Sequence, residues 1–299
     1  MEEESSDRRD AQRVLTLSSE RPLTLTAAIF WFICATFGTF VLLFATRSLW
    51  ANAATGNANL GLVGAVVCQA AVYVFTIVVV ARVHLGNRTL LHALSFRKTH
   101  VGFYFIGALL GVCLQAPAEV LLRLVDLVAP VAQETLRLQA EMLRMDSTVS
   151  RIMIPFVAMG LGPLVEEMLF RGVLFAGMRR CYGVCGAVII ATVLFAAAHA
   201  SVRLALPLLI VGGVLTYLRA ASGSLWPSLV AHTTYNAVPV VALAAGWMRF
   251  PEGFREDPDP FPLFLSFGGV LASVLLVALV IILSRRSELA LRARIEDSK

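Results

Sequence analysis

Charge is what this chain has least of. Asp, Glu, Lys and Arg make up 15% of its 299 residues, hydrophobic residues make up 58%, and the mean hydropathy is +0.77. A soluble globular domain carries about 25% charged residues, so the composition points to a polytopic membrane protein. The formal net charge of +5 comes mostly from Arg in the connecting loops, with no basic stripe, so no nucleic-acid partner is expected. The five cysteines, Cys34, Cys68, Cys113, Cys181 and Cys185, fall in or beside apolar runs. No Cys/His quartet with zinc spacing and no H-E-x-x-H accompanies them, which argues against a structural zinc site and a thiol nucleophile. The polar N-terminal stretch lacks a basic segment followed by a short apolar core, so no cleavable signal peptide is expected. The last residues, Glu296-Asp297-Ser298-Lys299, hold neither a prenylation cysteine nor a retention signal.

What is there in quantity is long apolar runs. They lie near 25–47, 60–81, 101–125, 152–176, 184–202, 204–221, 225–247 and 262–284, each about long enough to cross ~30 Å of hydrocarbon. The expected fold is therefore all-α, with about eight transmembrane helices over 25–284 and a polar intramembrane cavity. A disordered cytoplasmic tail is expected at 1–24 and a cytoplasmic C-terminal tail at 285–299. With both termini inside, Arg8, Arg9, Arg13, Arg21, Arg82, Arg88, Arg97, Lys98, Arg179, Arg180, Arg219, Arg285 and Arg286 fall on the inner side, and the loop after the seventh run is net acidic.

Between the third and fourth runs, Val131–Asp146 alternates apolar and charged residues at helical period, as an amphipathic helix at the membrane interface does. Pro117 should kink the third helix, and Glu119 and Arg123 stand one turn apart on it. His84, His92 and His100 cluster in the basic second inner loop and read as solvated interfacial residues.

The stretch Met159-Gly160-Leu161-Gly162-Pro163-Leu164-Val165-Glu166-Glu167-Met168-Leu169-Phe170-Arg171-Gly172 puts three charges in the middle of an apolar run. Each costs at least ~2.5–3.5 kcal/mol in hydrocarbon. Glu167 and Arg171, at i,i+4, share a helix face and read as an internal ion pair, while Glu166, about 100° away, is left facing a wet cavity as a general base. The competing readings are a packing network without chemistry and a soluble core helix.

Two histidines lie on later runs. His199 ends Phe195-Ala196-Ala197-Ala198-His199, where Phe195 can pack on the imidazole one turn away. His232 opens His232-Thr233-Thr234-Tyr235-Asn236, with Asn236 on its own face. Counted from the presumed inner ends, Glu166, His199 and His232 sit roughly 12–24 Å into the bilayer, so one hydrated pocket can contain all three. A water held between Glu166 and His199 loses a proton as it attacks a carbonyl, and neutral His232 with the Asn236 amide supplies donors to the oxyanion. Such a site hydrolyses a peptide bond. A proton-coupled carrier also uses buried Glu, His and Arg. Carriers commonly repeat their polar breaks in both halves, and here the Glu-Glu, His and His-Asn groups all follow residue 150. A scaffold or immunity protein without turnover stays open.

Glu166-Glu167-x-x-x-Arg171, Phe195-x-x-x-His199 and His232-x-x-x-Asn236, in that order on separate helices, resemble the three motifs of the CAAX protease and bacteriocin-processing (CPBP) family, which includes the Ras-converting CAAX endopeptidase. The motif-bearing resemblance covers about 150–245. It implies that Glu166 and His199 activate water, that His232 and Asn236 form the oxyanion site, and that Glu167 and Arg171 support them. It further implies a hydrophobic or lipidated peptide or protein as substrate, taken from the bilayer. No cofactor is favoured. Zinc is the alternative, with Glu166, His199 and His232 as its ligands.

Overall fold

Apolar side chains surround whole helical turns instead of forming one stripe, so these helices have lipid on one side and other helices on the other. The computed structural model describes residues 21–53, 61–85, 90–245 and 263–296. Most of the expected 1–24 tail and the acidic loop after the seventh run (Glu252, Arg255, Glu256, Asp257, Asp259) lie outside the described residues.

In chain order the helices are α1 (Leu25–Ala53), α2 (Gly61–His84), the single turn α3 (Leu90–Ala93), α4 (Val101–Cys113), α5 (Gln115–Val128), α6 (Gln133–Met142), α7 (Thr148–Ala198), α8 (Val202–Ser222), α9 (Leu225–Ala244) and α10 (Leu263–Glu296). There is no strand among the described residues. Among the described residues, six stretches are long and apolar enough to cross a membrane: Leu25–Leu49, Gly61–His84, Val101–Val128, Thr148–Ala198, Val202–Ser222 and Phe267–Arg286. Large exposed side chains such as Phe30, Phe37, Phe44, Phe75, Phe105 and Phe267 cover their outer faces. Apolar surface on this scale is what a bilayer covers, and the chain is an integral membrane protein. α9 is missing from the six because His232-Thr233-Thr234-Tyr235-Asn236 lowers the hydropathy of its middle. α10 continues as helix to Glu296, through most of the segment expected to be a C-terminal tail.

Three local features shape the bundle. The kink expected from Pro117 falls at Leu114, where α4 gives way to α5. A proline ring clashes with the carbonyl four residues back, here that of Cys113. Within α7, Phe156–Leu161 and Glu167–Leu174 are wound as π-helix, the first directly after Pro155. Gly183 then breaks α7 at φ 67°, ψ −175°, a conformation glycine adopts without a Cβ penalty. The chain therefore runs as helix to the residue before Gly183 and resumes in a new direction towards His199.

The amphipathic segment expected over 131–146 is helical over Gln133–Met142. His84 departs from its expected solvated role. It is buried, receives a hydrogen bond from Trp31 Nε1 at 3.0 Å, and lies 3.0 Å from the Arg21 carbonyl through Nδ1. With Nε2 accepting, Nδ1 carries the proton and donates, so a neutral His84 fastens the start of α1 to the end of α2. The charged sequence around it concealed this, because the partner Trp31 is distant in the chain. His92 and His100 are exposed, and His100 caps α4 by accepting from Gly102 N.

Two apolar cores form. One joins α1, α2 and α7 around Phe170, Phe175, Met178 and Phe195. The other joins α4, α8, α9 and α10 around Phe103, Leu110, Leu215, Ala231 and Val280. α9 lies close against α4 because Gly111 has no side chain. A Cβ there would overlap the Ala231 carbonyl oxygen and come 2.8 Å from Tyr235 N. Gln115 Nε2 adds a 2.7 Å bond to the Tyr235 carbonyl. That contact fixes the face of α9 carrying His232 and Asn236.

Candidate active site

The site is built where the π-helical part of α7 meets α2, α8 and α9. π-Turns hold more residues per turn than α-turns and are frequent at functional sites. Within this part of α7, residues four apart lie about one turn apart, on the same side of the helix. Glu167 and Arg171 therefore face each other: Arg171 Nη1 donates to Glu167 Oε1 at 2.9 Å, with both side chains 0% exposed. The other two guanidinium nitrogens also donate, Nε to Thr216 Oγ1 at 3.1 Å and Nη2 to the Gly212 carbonyl at 3.2 Å. The guanidinium also lies 4.0 Å above the Phe195 ring centroid.

Glu167 Oε1 accepts a second bond, from His232 Nδ1 at 3.0 Å. His232 Nε2 then stands 3.7 Å from Glu166 Oε2. One imidazole therefore addresses both glutamates through its two ring nitrogens. Glu166 is not solitary: Gln69 Nε2 on α2 donates to its Oε1 at 3.3 Å, and its side chain is 13% exposed. The result is a chain running Arg171, Glu167, His232, Glu166, Gln69 across three helices.

Phe195 ties His199 to this chain. The His199 ring meets it edge-on with centroids 5.0 Å apart, the His232 ring meets it at 5.7 Å, and Phe170 meets it at 5.4 Å. His199 Nδ1 lies 3.0 Å from the Phe195 carbonyl, which can only accept, so Nδ1 carries the proton and Nε2 keeps its lone pair. His232 follows the same logic: Nδ1–H is committed to a carboxylate, so Nε2 donates only when it too is protonated. The expectation of neutral His232 as a hydrogen-bond donor therefore does not fit this arrangement. Asn236 Nδ2 donates to the Ala158 carbonyl at 2.9 Å, in the first π-turn of α7, leaving its second N–H for other use.

The two Nε2 lone pairs are suitable metal donors, each fixed by an acceptor on its other nitrogen in the way metal-binding histidines are. The geometry does not complete a site: among the described residues no three His, Cys, Asp or Glu side chains converge closely enough to hold an ion.

Several participants were not picked out from the sequence. Gln69 and Tyr73 stand one turn apart on α2, and Tyr73 is buried against Phe170 at 6.2 Å. An amide in the middle of an apolar span was the available signal. Thr216 and Gly212 on α8 left none, because Thr and Gly are ordinary membrane-helix residues. At the end of α7 nearest His199, Arg203 grips Asp126 with Nε–Oδ1 and Nη2–Oδ2 both at 2.6 Å. The Glu119–Arg123 pair is formed at 2.8 Å and is partly exposed.

Fold and site together define an integral membrane protein with a charged, hydrogen-bonded centre inside its helices. Residues 148–238, somewhat less than a third of the chain, match the family model described as type II CAAX prenyl endopeptidase Rce1-like, consistent with the CPBP family. That domain contains Glu166, Glu167, Arg171, Phe195, His199, His232 and Asn236. No curated protein and no solved structure matches the chain.

Proposed function

We propose that the protein is an intramembrane endopeptidase that hydrolyses a peptide bond of a hydrophobic or lipidated peptide or protein reached from the bilayer, using water activated by Glu166 and His199. Eight crossings follow if Gly183 divides α7 into two spans and α9 is counted. Both termini are then cytoplasmic, and a hydrated cavity opens beside Glu166. The observation that carries this reading is the buried Arg171–Glu167–His232 chain ending beside a carboxylate that is itself partly exposed, inside an Rce1-like domain. A packing network has no need to leave its last carboxylate accessible.

In the reaction, the water oxygen attacks the carbonyl carbon while one of its protons passes to the Glu166 carboxylate. His199, with Nδ1–H on the Phe195 carbonyl, holds the water through its Nε2 lone pair. The oxyanion takes hydrogen bonds from the second N–H of Asn236 and from His232 Nε2 in the doubly protonated ring. The C–N bond then breaks, and the proton on Glu166 moves to the departing nitrogen, restoring the carboxylate. Arg171 and Glu167 are positioning residues. They set the His232 ring and balance its charge.

The test uses purified protein in detergent with quenched hydrophobic and prenylated peptides. Glu166→Gln and His199→Ala are each expected to abolish cleavage while membrane insertion and yield stay normal. A Glu166→Gln protein that cleaves at the wild-type rate removes Glu166 from the role of base. A zinc-dependent version is the second reading, favoured by the paired Nε2 lone pairs. Full activity after exhaustive chelation removes that reading, and loss that zinc restores establishes it.

A further inference from the structure

Beside the Gly183 break within α7 lies a cavity of about 350 Å³. Its volume falls in the range of small-ligand sites, ~300–1,000 Å³. Arg97, Arg179, Arg180 and Arg219 line it together with His92 and Ser95, and among the described residues no Asp or Glu lines it. Four guanidinium groups therefore meet in one cavity whose described lining holds no carboxylate.

Arg219 sharpens the point. It is 2% exposed, and its Nε and Nη1 have no hydrogen-bond partner among the described residues, although each guanidinium nitrogen of the other fully buried arginine, Arg171, reaches an acceptor. The Phe175 ring, 5.5 Å from Arg219 Cζ, packs beside the guanidinium without satisfying its N–H groups. A buried charge without partners is strongly unfavourable, so the site is completed by something that brings acceptors.

The walls are held in place. Arg97 Nε donates to the Gly223 carbonyl at 2.7 Å, Thr99 Oγ1 to the Ser222 carbonyl at 2.9 Å, and Leu225 N to the Ser95 carbonyl at 3.1 Å. These bonds lock the segment after α3 onto the α8–α9 turn, so the cavity does not depend on a ligand to form. It also lies at a defined depth. Leu85 follows the end of α2, Arg179 and Arg180 precede the Gly183 corner, and Arg219 is in the last turn of α8. The ends of α2 and α8 are ends of spans, where lipid headgroups lie, and the Gly183 corner joins them if it divides α7 into two spans.

We propose that this cavity binds the phosphate of an anionic phospholipid headgroup, with Arg219 at its base and Arg97, Arg179 and Arg180 around it. Guanidinium forks match phosphate oxygens in pairs, and basic pockets between helices at the membrane surface take such headgroups. Occupancy supplies the acceptors that Arg219 lacks and braces the corner where α7 turns back towards His199.

The test is thermal unfolding of the purified full chain in a neutral detergent with added phosphatidylglycerol, phosphatidylcholine or inorganic phosphate. Phosphatidylglycerol is expected to raise the melting temperature saturably, and phosphatidylcholine to leave it unchanged. Arg219→Met and the double variant Arg179→Gln/Arg180→Gln are each expected to lose at least half of that rise. Lys98→Gln, an exposed change outside the cavity, keeps it. Inorganic phosphate alone giving the whole rise supports the phosphate site and assigns its ligand to solution instead of lipid. Equal shifts with the two lipids, or a full rise in both cavity variants, overturns the proposal. Should Arg219→Met fail to fold, the double variant decides alone. No cleavage measurement enters, so the outcome is independent of the proteolytic reading.

Discussion

Replacing Arg171 by Met tests whether the buried ion pair holds the helices together. Arg171 carries three hydrogen bonds, to Glu167, Thr216 and Gly212, and stacks on Phe195. Met keeps much of the volume and removes the charge. Glu167 Oε1 then retains only His232, and Glu167 Oε2, which already lacks a partner among the described residues, stays bare. Breaking a buried pair by removing one member costs about 3–5 kcal/mol, a shift of at least a hundredfold in a folding equilibrium at roughly 1.4 kcal/mol per factor of ten. The prediction is a sharp fall in the monodisperse fraction on size exclusion and a lower melting temperature. The double variant Glu167→Leu/Arg171→Met, which removes both charges, should recover much of the loss, because replacing a buried pair by apolar groups is often close to neutral. Cleavage stays lost in the double variant, since His232 has no acceptor for Nδ1. An Arg171→Met protein that melts with wild type refutes the reasoning. So does a double variant as unstable as the single one, because the cost would then lie in packing and not in an unpaired charge.

Three further outcomes follow from particular contacts. Gln69→Leu removes the hydrogen bond that Gln69 Nε2 gives Glu166; bonds to charged groups contribute about 1.5–3 kcal/mol, so the turnover rate should fall roughly tenfold or more with normal folded yield. Gly212→Ala places a Cβ 2.8 Å from Phe195 Cδ1 and 3.4 Å from Arg171 Nη2. Overpacking of that kind costs ~1–3 kcal/mol, and the displaced ring carries both histidines with it, so melting temperature and cleavage should fall together. Arg203→Lys cannot keep the two-pronged grip on Asp126; in a partly exposed pair the stability loss should be within about 1 kcal/mol, read by thermal melting, with cleavage weakened if His199 shifts.

The helical character of the chain and the Glu167–Arg171 pair were legible because both rest on periodicity: apolar runs of membrane length, and charges four residues apart. Residues that meet only through tertiary packing were not. Gln69 and Thr216 reach the site from helices α2 and α8, whose register against α7 no local pattern specifies. His84 read as solvated because its neighbours in sequence are charged, while its neighbours in space are Trp31 and a backbone carbonyl. The π-winding of Glu167–Leu174 was also hidden. Helical arithmetic assigned Glu166 and Glu167 to different environments, and the two ring nitrogens of His232 reach one each. The same hidden geometry changed the chemistry expected of His232, since the identity of its Nδ1 partner decides what Nε2 can do.

That point can be tested at Glu167. Glu167→Gln preserves shape, and its amide oxygen can still accept from His232 Nδ1, so the ring keeps its orientation. What disappears is the negative charge that balances Arg171 and would balance a second proton on His232. If the His232 ring only needs to be held in place, the variant should cleave within about threefold of wild type per folded molecule. If Nε2–H donates to the oxyanion, the loss should approach that of His232→Ala. Removing one such donor costs ~10²–10³ in turnover, and the defect should lie in kcat with KM little changed, because the donor acts on charge that develops in the transition state. The proposed mechanism requires the second outcome: Nε2 stands 3.7 Å from Glu166 Oε2, and with Nδ1–H held by Glu167 it donates only when it carries a second proton. Near-wild-type turnover by Glu167→Gln would return His232 to a neutral, orienting role and leave Asn236 as the oxyanion donor.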